Sequence, residues 1–290
     1  MRTQVPKKKK FLCNPLFVIV MTLVLMILGS VLGGFFTGIV VGVCQVGEEH
    51  LWILAGYLPF IGIAALVLLF TYLTRRDIFQ LYFRGQTGNN LKMLGLGAAT
   101  GFLMNGVCIL AASLHGDVHF TLGSISPWWL LISLAVVFIQ SATEELLVRG
   151  YLYQHIRARF GIPLALICSS LLFALLHAAN TGVTVLALVN IAAIALFYSL
   201  SVEYLDSLWF AMANHAAWNF TQNFLFGLPN SGMVSSTSLL KLEAASDSLV
   251  YNVNFGVEAA LPATVVCLAA AGAVWYFHRR KLKKNPEGSL

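Results

Sequence analysis

The sequence predicts an all-α integral membrane protein, a bundle of about eight transmembrane helices with both termini in the cytoplasm. Three observations carry this prediction: 58% of the 290 residues are apolar, only 10% are Asp, Glu, Lys or Arg, and the apolar residues fall in long runs. A soluble domain carries about 25% charged residues, so this chain lacks the charge to cover a water-exposed surface. Runs of about 20 apolar residues match the thickness of a bilayer's hydrocarbon core. The composition therefore excludes a disordered chain, a secreted disulfide scaffold and a cytosolic enzyme.

Eight apolar runs are predicted as membrane spans of a single domain that covers residues 1–290. They occupy 16–44, 51–73, 91–114, 128–150, 162–180, 183–200, 205–227 and 256–277. The first run follows the lysines at 7–10 but is too long for a signal peptide, and no small-residue cleavage site follows it. We therefore expect a retained first helix.

Along the sequence the spans form three groups, and one long loop precedes the last group. The N-terminal spans lie within 16–114, the core that carries the polar motifs lies within about 128–227, and the last span is 256–277. The polar stretch 228–255 is the longest loop. By sequence it is either a cap over the bundle or a plain connection.

The positive charges predict the orientation. Seventeen of the 18 Lys and Arg residues lie in four regions: before the first span, at 75–92, at 149–159 and in the tail 279–284. Because the chain crosses the membrane eight times in this prediction, all four regions fall on the same side. Only Lys241 falls on the other side. The positive-inside rule assigns the basic side to the cytoplasm. This placement accounts for the net charge of +6, so no nucleic-acid partner is expected, and the short loops and compact size favour a bacterial plasma membrane.

Glycines in the first span predict close helix packing. They are Gly29, Gly33, Gly34, Gly38 and Gly42. Small residues four positions apart allow two helix backbones to approach each other within a membrane. We interpret this pattern as packing rather than as a functional site.

Two adjacent carboxylates, Glu144 and Glu145, stand out because they follow a long uncharged run in the fourth span. An ionisable group inside a membrane helix is costly, which makes it a candidate functional group. Glu145 and Arg149 are four residues apart, so they share a helix face and can pair. Glu144 points about 100° away and is left without a partner in its own helix. A carboxylate in that position is suited to act as a general base.

Two further polar clusters lie on later helices: Phe173 with His177, and His215 with Asn219. If the fourth helix continues to about residue 160, Glu144 and His177 both lie roughly 24–26 Å from a turn at 161–163. His215 and Asn219 lie roughly 18–24 Å from a turn near residue 203. A single histidine is more often a structural hydrogen-bonding group, but the matched depth of all four side chains favours one site.

At these residues the sequence resembles the type II CAAX prenyl endopeptidases and their prokaryotic relatives, the abortive-infection-like and bacteriocin-processing intramembrane proteases. The family's motifs EExxxR, FxxxH and HxxxN appear as Glu144-Glu145 with Arg149, Phe173 with His177, and His215 with Asn219. The motifs occur in order on three apolar helices within residues 144–219. The flanking spans carry no recognisable signature, so the resemblance says little about the substrate.

The resemblance implies an enzyme that hydrolyses a peptide bond inside the membrane. By carry-over, Glu144 would be the general base that activates water, assisted by His177, while His215 and Asn219 would stabilise the oxyanion. Carboxylate, imidazole and amide groups suit these roles. A peptide or protein substrate is expected to enter from the membrane or the cytoplasmic side. The sequence does not specify an oligomeric state.

The same residues leave the supporting roles and the metal requirement open. By the resemblance, Glu145, Arg149 and Phe173 would hold the site in shape, although a purely structural ion pair explains Glu145 and Arg149 equally well. Glu144, His177 and His215 are a donor set that could bind zinc and leave a position for water. The motif HExxH is absent and Asn is a poor zinc ligand, which favours a metal-free glutamate mechanism.

Two functions from other classes compete with the peptidase interpretation. Intramembrane Glu and His side chains also build the proton relays of proton-coupled transporters. A transporter is expected to show internal repeats, and no obvious repeat is present in the sequence. The third candidate is a catalytically idle membrane protein that binds a partner, for example as an immunity protein.

Overall fold

The structure, a computed structural model, describes residues 12–83 and 88–284, without the side chains of Glu49 and Lys284, and is mostly helical. Its helices are α1 (Pro15–Cys44), α2 (Glu48–Tyr57), α3 (Phe60–Thr74), α4 (Arg76–Leu81), α5 (Leu91–His115), α6 (Pro127–Glu145), α7 (Gln154–Phe160), α8 (Ile162–Leu176), α9 (Val185–Tyr204), α10 (Leu208–Phe220) and α11 (Leu261–Lys284). A π-helical segment, Leu146–Tyr153, joins α6 to α7, and a second, Thr221–Leu225, extends α10. Two strands, β1 (Val118–Leu122) and β2 (Leu240–Ala245), and a 3₁₀ turn, Val257–Ala259, complete the described chain.

Six helical stretches of the described residues are long and apolar enough to cross a membrane, where the sequence predicts eight. They are Pro15–Cys44, His50–Thr74, Leu91–His115, Pro127–Phe160, Val185–Tyr204 and Leu261–Lys283. The predicted span 162–180 appears as α8, which ends after 15 residues. The predicted span 205–227 appears as α10 and its π-helical extension. α8 is too short to count as a span, and the helix 208–225 is interrupted by polar residues, namely Asn214, His215, Asn219, Gln222 and Asn223.

The helix that carries the first motif is longer than the apolar run predicted at 128–150. α6, the π-helical segment and α7 continue without a break from Pro127 to Phe160. This confirms the continuation to about residue 160 that the depth argument required. α8 begins two residues later, after Gly161 at φ +84°, so the two helices form a hairpin.

Short polar side chains begin most of the long helices. Asn14, Asn90, Ser126, Thr184 and Ser207 each accept a hydrogen bond from a backbone N–H in the first turn of α1, α5, α6, α9 and α10. These side chains satisfy donors that a helix leaves open at its start. In α1 and α6 a proline follows the cap and suits the first helical position.

The glycines of α1 pack as predicted on one face only. A Cβ added to Gly29 would collide with the backbone of Ile63 in α3, and one added to Gly33 would collide with the carbonyl of Pro59. The same addition at Gly34, Gly38 or Gly42 meets no atom within 4 Å. Close approach of α1 to α3 therefore depends on Gly29 and Gly33.

The basic regions of the described chain gather at one end of the bundle, here called the basic end. Arg75 donates to Cys13 at 2.9 Å, Arg157 pairs with Glu203, and Tyr204 stacks on His278 with ring centroids 4.0 Å apart. These contacts join the start of α1, the end of α3, α7 and the ends of α9 and α11. The grouping agrees with the sorting of Lys and Arg along the sequence except for Arg149, which is fully buried inside the bundle and paired with Glu145. The side of the membrane stays a prediction.

The opposite end of the bundle carries a small antiparallel sheet that an all-α fold does not include. β1 pairs with β2, with Leu122 opposite Leu240 and Val118 opposite Ala245. The strands were missed because each is short and its partner lies more than 100 residues away in the sequence.

The chain just before β2, residues 228–239, is here called the cap segment. Gln222 and Asn223 donate to the carbonyls of Pro229 and Leu228, and Asn180 donates to the carbonyl of Ser231. The segment is thereby attached to the end of α10 and to the loop that follows α8. For this part of the loop 228–255, the contacts fit a cap over the bundle better than a plain connection.

Candidate active site

Glu144 lies one residue before the end of α6, and one of its carboxylate oxygens has no hydrogen-bond partner. Gln140, one turn earlier, donates from Nε2 to Oε1 of Glu144 at 2.5 Å. Oε2 is buried, accepts no hydrogen bond from the described residues, and lies 3.8 Å from Nε2 of His215. The prediction that Glu144 has no partner in its own helix is therefore wrong, since residues four apart share a face. A buried acceptor without a protein partner is a position where water is expected.

The ion pair predicted between Glu145 and Arg149 is present and fully buried. The two groups lie 2.9 Å apart and neither side chain has any exposed surface. Arg149 belongs to the π-helical segment after α6, and segments of this kind are frequent at functional sites. Its guanidinium also donates to the carbonyl of Ala195 at 3.0 Å and covers the ring of Phe173, 4.4 Å from the centroid. The pair thus joins α6, α8 and α9 beneath the site.

His215, in the middle of α10, contacts both adjacent carboxylates. Its Nδ1 lies 3.0 Å from Oε1 of Glu145, and its Nε2 faces Oε2 of Glu144. The ring stacks on Tyr198 with centroids 5.4 Å apart and meets the edge of Phe173. Because an ionised carboxylate only accepts hydrogen bonds, Nδ1 of His215 is the donor. Nε2 is therefore the nitrogen left to face the cavity.

His177 caps the C-terminal end of α8, as the sequence predicts. Its Nδ1 lies 2.8 Å from the carbonyl oxygen of Phe173, and the two rings pack with centroids 4.7 Å apart. A backbone carbonyl only accepts, so Nδ1 of His177 carries the proton and Nε2 is free in the neutral ring. Phe173 thus orients His177 through its backbone and supports Arg149 through its ring.

Asn219 lies one turn after His215 on α10, as the spacing predicts. Its amide nitrogen donates to Gln140 at 3.3 Å and to Ser141 at 3.2 Å, and its amide oxygen accepts from Asn230 of the cap segment at 3.2 Å. Donation from Asn219 to a substrate therefore requires the exchange of one of these hydrogen bonds.

One cavity of about 320 Å³ brings the predicted catalytic residues together. Its walls include Glu144, His177, His215 and Asn219. Further wall residues come from α1, from the break between α2 and α3, and from the cap segment: Met26, Ser30, Gly56, Tyr57, Phe60, Asn230, Ser231 and Met233. Most of the cavity wall is apolar, and its polar side chains include Gln140 and Asn180 besides the predicted catalytic residues.

The three predicted metal ligands, Glu144, His177 and His215, are not arranged as a metal centre. Within residues 12–83 and 88–284, no group of three or more His, Cys, Asp or Glu side chains is arranged to hold a metal ion. Glu144, His177 and His215 line the same cavity, but zinc requires its donors at about 2.0–2.2 Å from a common centre. The side chains as placed do not form such a site.

Several polar residues at the site were missed by sequence reasoning. The i,i+4 rule that paired Glu145 with Arg149 also pairs Gln140 with Glu144, so Gln140 was within reach of prediction. Asn230 and Ser231 belong to the cap segment, whose position no local pattern reveals. Glu258 lines a small pocket together with His177, His215 and Asn219, and its signal in the sequence is weak, an acidic residue at the start of the last apolar run.

The comparison with protein families agrees with this geometry. The model of the family described as Rce1-like, type II CAAX prenyl endopeptidase, matches residues 126–221. The match begins at the N-cap of α6 and ends at the first residue after α10, so it contains every motif residue named above. No curated protein and no solved structure shows a significant match to the chain.

Proposed function

We propose, on the premise that residues 126–221 form an Rce1-like type II CAAX prenyl endopeptidase domain, that this protein is an intramembrane endopeptidase in which Glu144 activates water. One observation supports the proposal most. The free Oε2 of Glu144 lies 3.8 Å from Nε2 of His215, in a cavity shared with His177 and Asn219. A water molecule hydrogen-bonded to Oε2 would lie beside Nε2 of His215.

The chemistry needs only groups that the cavity contains. Glu144 accepts a proton from water as the water oxygen attacks the carbonyl carbon of the substrate. The tetrahedral intermediate then collapses, the C–N bond breaks, and the proton held by Glu144 passes to the leaving nitrogen. A positioned general base of this kind contributes about 10²–10⁴-fold to the rate.

The two histidines have different proposed roles, because the Nδ1 atoms of the two rings have different partners: the carbonyl of Phe173 for His177 and the carboxylate of Glu145 for His215. Neutral His177 keeps a lone pair on Nε2, which orients the attacking water beside Glu144. Nε2 of His215 is assigned to the oxyanion, because Nδ1 is engaged by Glu145 and Nε2 lies beside Oε2 of Glu144. Asn219 supplies a second donor once it exchanges a bond to Gln140 or Ser141.

The expected substrate is a peptide or protein segment, and the cavity wall supports entry from the membrane. Ser30 of α1 and Met233 of the cap segment line the cavity and are exposed. Ser30 lies in the middle of a predicted membrane-spanning helix, so an opening there faces lipid. We therefore propose lateral entry of an apolar segment rather than entry from the basic end.

The first experiment compares wild-type protein, Glu144→Gln and Glu243→Gln in cells that lack the native gene. Glu144→Gln keeps the size of the side chain and removes the base, so peptides released by the wild type should fall by at least about 100-fold. Glu243 lies on β2 and is exposed, so Glu243→Gln controls for expression and charge. Quantitative mass spectrometry of released peptides and membrane proteins measures the difference.

The outcomes separate the competing functions. Cleavage retained by Glu144→Gln removes the proposed base. If wild-type protein releases no peptide, a partner that co-purifies equally with both forms supports the binding protein. Proton-coupled uptake lost with Glu144→Gln supports the transporter. A purified-protein assay with a quenched peptide ending in a farnesylated CAAX sequence, and with its unprenylated counterpart, tests whether prenylation matters.

The metal-free mechanism makes its own prediction. Purified protein dialysed against a strong chelator should cleave the substrate identified by mass spectrometry at a rate within twofold of the untreated protein. The reason is that Glu144 alone provides the base. Metal analysis of the same sample should find zinc well below one equivalent. Loss of activity on chelation with recovery on zinc addition, or stoichiometric zinc, would show that the enzyme is a metallopeptidase.

A further inference from the structure

Gln140 lies one turn before Glu144 on α6, in the wall of the large cavity but outside the three motifs. Its side chain is buried, and both ends of its amide group have partners. Nε2 donates to Oε1 of Glu144 at 2.5 Å, while Oε1 accepts from the hydroxyl of Ser141 at 3.0 Å and from the amide of Asn219 at 3.3 Å. Gln140 therefore connects the proposed base with the helix that carries the third motif.

The hydrogen bonds continue from Asn219 to the cap segment. Oδ1 of Asn219 accepts from Nδ2 of Asn230 at 3.2 Å. Asn230 is itself buried, and its backbone N–H and carbonyl both bond to the backbone of Met233, at 2.8 and 2.9 Å. Three side-chain amides, here called the amide chain, thus run in order from the cap segment to Glu144: Asn230, Asn219 and Gln140.

The carboxylate at the end of the amide chain determines how all three amides are oriented. An ionised carboxylate has no hydrogen to donate, so Gln140 must present its nitrogen to Glu144 and its oxygen to the other side. That oxygen needs a donor from Asn219, whose own oxygen then needs a donor from Asn230. Reversal of any one amide would place two acceptors in contact. The amide chain therefore has one consistent arrangement, in which each member fixes the next.

This arrangement gives the two oxygens of Glu144 different parts. Oε1 is held by Gln140, while Oε2 is free and lies 3.8 Å from Nε2 of His215. The last torsion of a glutamate side chain is broad when no partner holds it. A general base, however, must lie within hydrogen-bond reach of the proton that it accepts. The bond from Gln140 restricts this rotation and keeps Oε2 where the water molecule is expected.

Ser141 allows Gln140 to stay in place while Asn219 takes part in the reaction. In the proposed function, Asn219 donates to the oxyanion after it gives up a hydrogen bond to Gln140 or Ser141. If the bond to Gln140 is exchanged, the hydroxyl of Ser141 still donates to Oε1 of Gln140. The orientation of the base is thereby separated from the movement of Asn219.

We propose that Gln140 is a positioning residue of the active site, which holds Oε1 of Glu144 and so directs Oε2 toward the attacking water. The proposal rests on the proposed peptidase function and deepens it. It also gives the cap segment a part in the reaction, because Asn230 and Asn219 keep the amide of Gln140 in its donating orientation.

The test uses Gln140→Met, which keeps the length of the side chain and removes the amide. Gln154→Met is the matched control, since Gln154 is a partly buried glutamine farther along the same continuous helix and lines a separate cavity at the basic end. With the substrate identified through Glu144→Gln, we expect kcat of Gln140→Met to fall about 10–100-fold, because a small misplacement of a catalytic group is costly. KM should stay within about threefold, and Gln154→Met should match wild type in both.

Two double variants show whether the effect passes through the base. In single-turnover cleavage by Glu144→Gln, the addition of Gln140→Met should lower the remaining rate less than about twofold, because no base is left to orient. In Asn219→Ala, which keeps the base, Gln140→Met should still lower kcat about 10-fold or more. A full loss in the Glu144→Gln background would overturn the proposal, and so would no further loss in the Asn219→Ala background.

Wild-type kcat in Gln140→Met would also overturn the proposal. Thermal unfolding in detergent detects a folding defect, and Gln140→Met should melt within about 5 °C of wild type. If it does not, Gln140→Asn replaces it, since this variant keeps an amide but shortens its reach to Glu144, and the same loss of kcat is expected. Failure of the peptidase function itself is recognised separately, by cleavage that persists in Glu144→Gln.

Discussion

At the scale of single residues, the site depends on which atom of each polar side chain is already engaged. His177 and His215 each commit Nδ1 to a protein acceptor, which leaves Nε2 toward the cavity. Glu144 commits one oxygen to Gln140 and leaves the other free. Helical spacing predicted the contacts within one helix, such as Glu145 with Arg149. It did not predict the contact between Glu145 and His215, which joins residues 70 positions apart.

The buried pair of Glu145 and Arg149 gives a prediction at this scale. Arg149→Met leaves the carboxylate of Glu145 buried with its main charge partner removed, and we expect a loss of about 3–5 kcal/mol in the free energy of unfolding. The double variant Glu145→Gln/Arg149→Met removes both charges and should be less destabilised than the sum of the two single variants. Reversible unfolding of the purified protein in detergent or bicelles measures all four forms.

Arg76 provides the control for that cycle. It is exposed and contacts only the ring and hydroxyl of Tyr72 among the described contacts. Arg76→Met should change the unfolding free energy by less than about 0.5 kcal/mol. Equal effects of Arg149→Met and Arg76→Met would mean that the buried pair does not stabilise the fold.

At the scale of elements, apolar length predicted the positions of the long helices but not how they end or deform. The second predicted span is divided into α2 and α3 at Leu58–Pro59, and the fourth contains a π-helical segment. Both irregular regions adjoin the cavity, through Tyr57, Phe60 and Leu147. Hydropathy responds to composition over about 19 residues, so it does not detect a change in backbone hydrogen bonding of one turn.

The glycines of α1 give a prediction for the contact between α1 and α3. Gly33→Ala places a methyl group against the carbonyl of Pro59, so the helices must move apart, and we expect a loss of about 1–3 kcal/mol in the unfolding free energy. Thermal unfolding in detergent measures the change. Because α1 and α3 also form part of the cavity wall, peptidase activity should fall as well.

Gly34 is the matched control, since it is the next residue on the same helix. A methyl group there meets no atom within 4 Å. Gly34→Ala should therefore be neutral or slightly stabilising, because alanine favours the helix over glycine. Equal destabilisation by Gly33→Ala and Gly34→Ala would show that helix propensity, and not packing on α3, determines the effect.

At the scale of the whole molecule, the site lies nearer the cap than the basic end. α8 begins next to the basic end and rises about 22 Å over its 15 residues before His177. The cap segment then covers the cavity from the opposite end, with Asn230 and Ser231 in its wall. If the basic end is cytoplasmic, the cavity lies in the outer half of the membrane.

Cysteine labelling tests this orientation. In a Cys44→Ser background, which removes an exposed native thiol, a cysteine at the exposed position of Glu243 should react with a membrane-impermeant maleimide in intact cells. A cysteine at exposed Lys281 of α11 should react only after permeabilisation, because the positive-inside rule places it in the cytoplasm. The reverse pattern would contradict the predicted orientation and place the cap in the cytoplasm.

The sequence by itself determined the class of protein and the identity of the motif residues. Scarcity of charge required a membrane as solvent, and the few ionisable groups left in apolar helices marked the candidate site. Both inferences depend on local composition and on the period of a helix, which a sequence displays directly.

Only the tertiary structure decided which atoms face the cavity and which residues from elsewhere join them. Gln140 engages one oxygen of Glu144, the cap segment covers the site, and Glu258 reaches it from the turn before α11. Some of these contacts join segments that are far apart in the chain. Others depend on which side-chain rotamer the surrounding packing allows. The physical reason is that hydrogen-bond partners in a buried site are chosen by proximity in space, for which helical spacing gives no rule beyond a single helix.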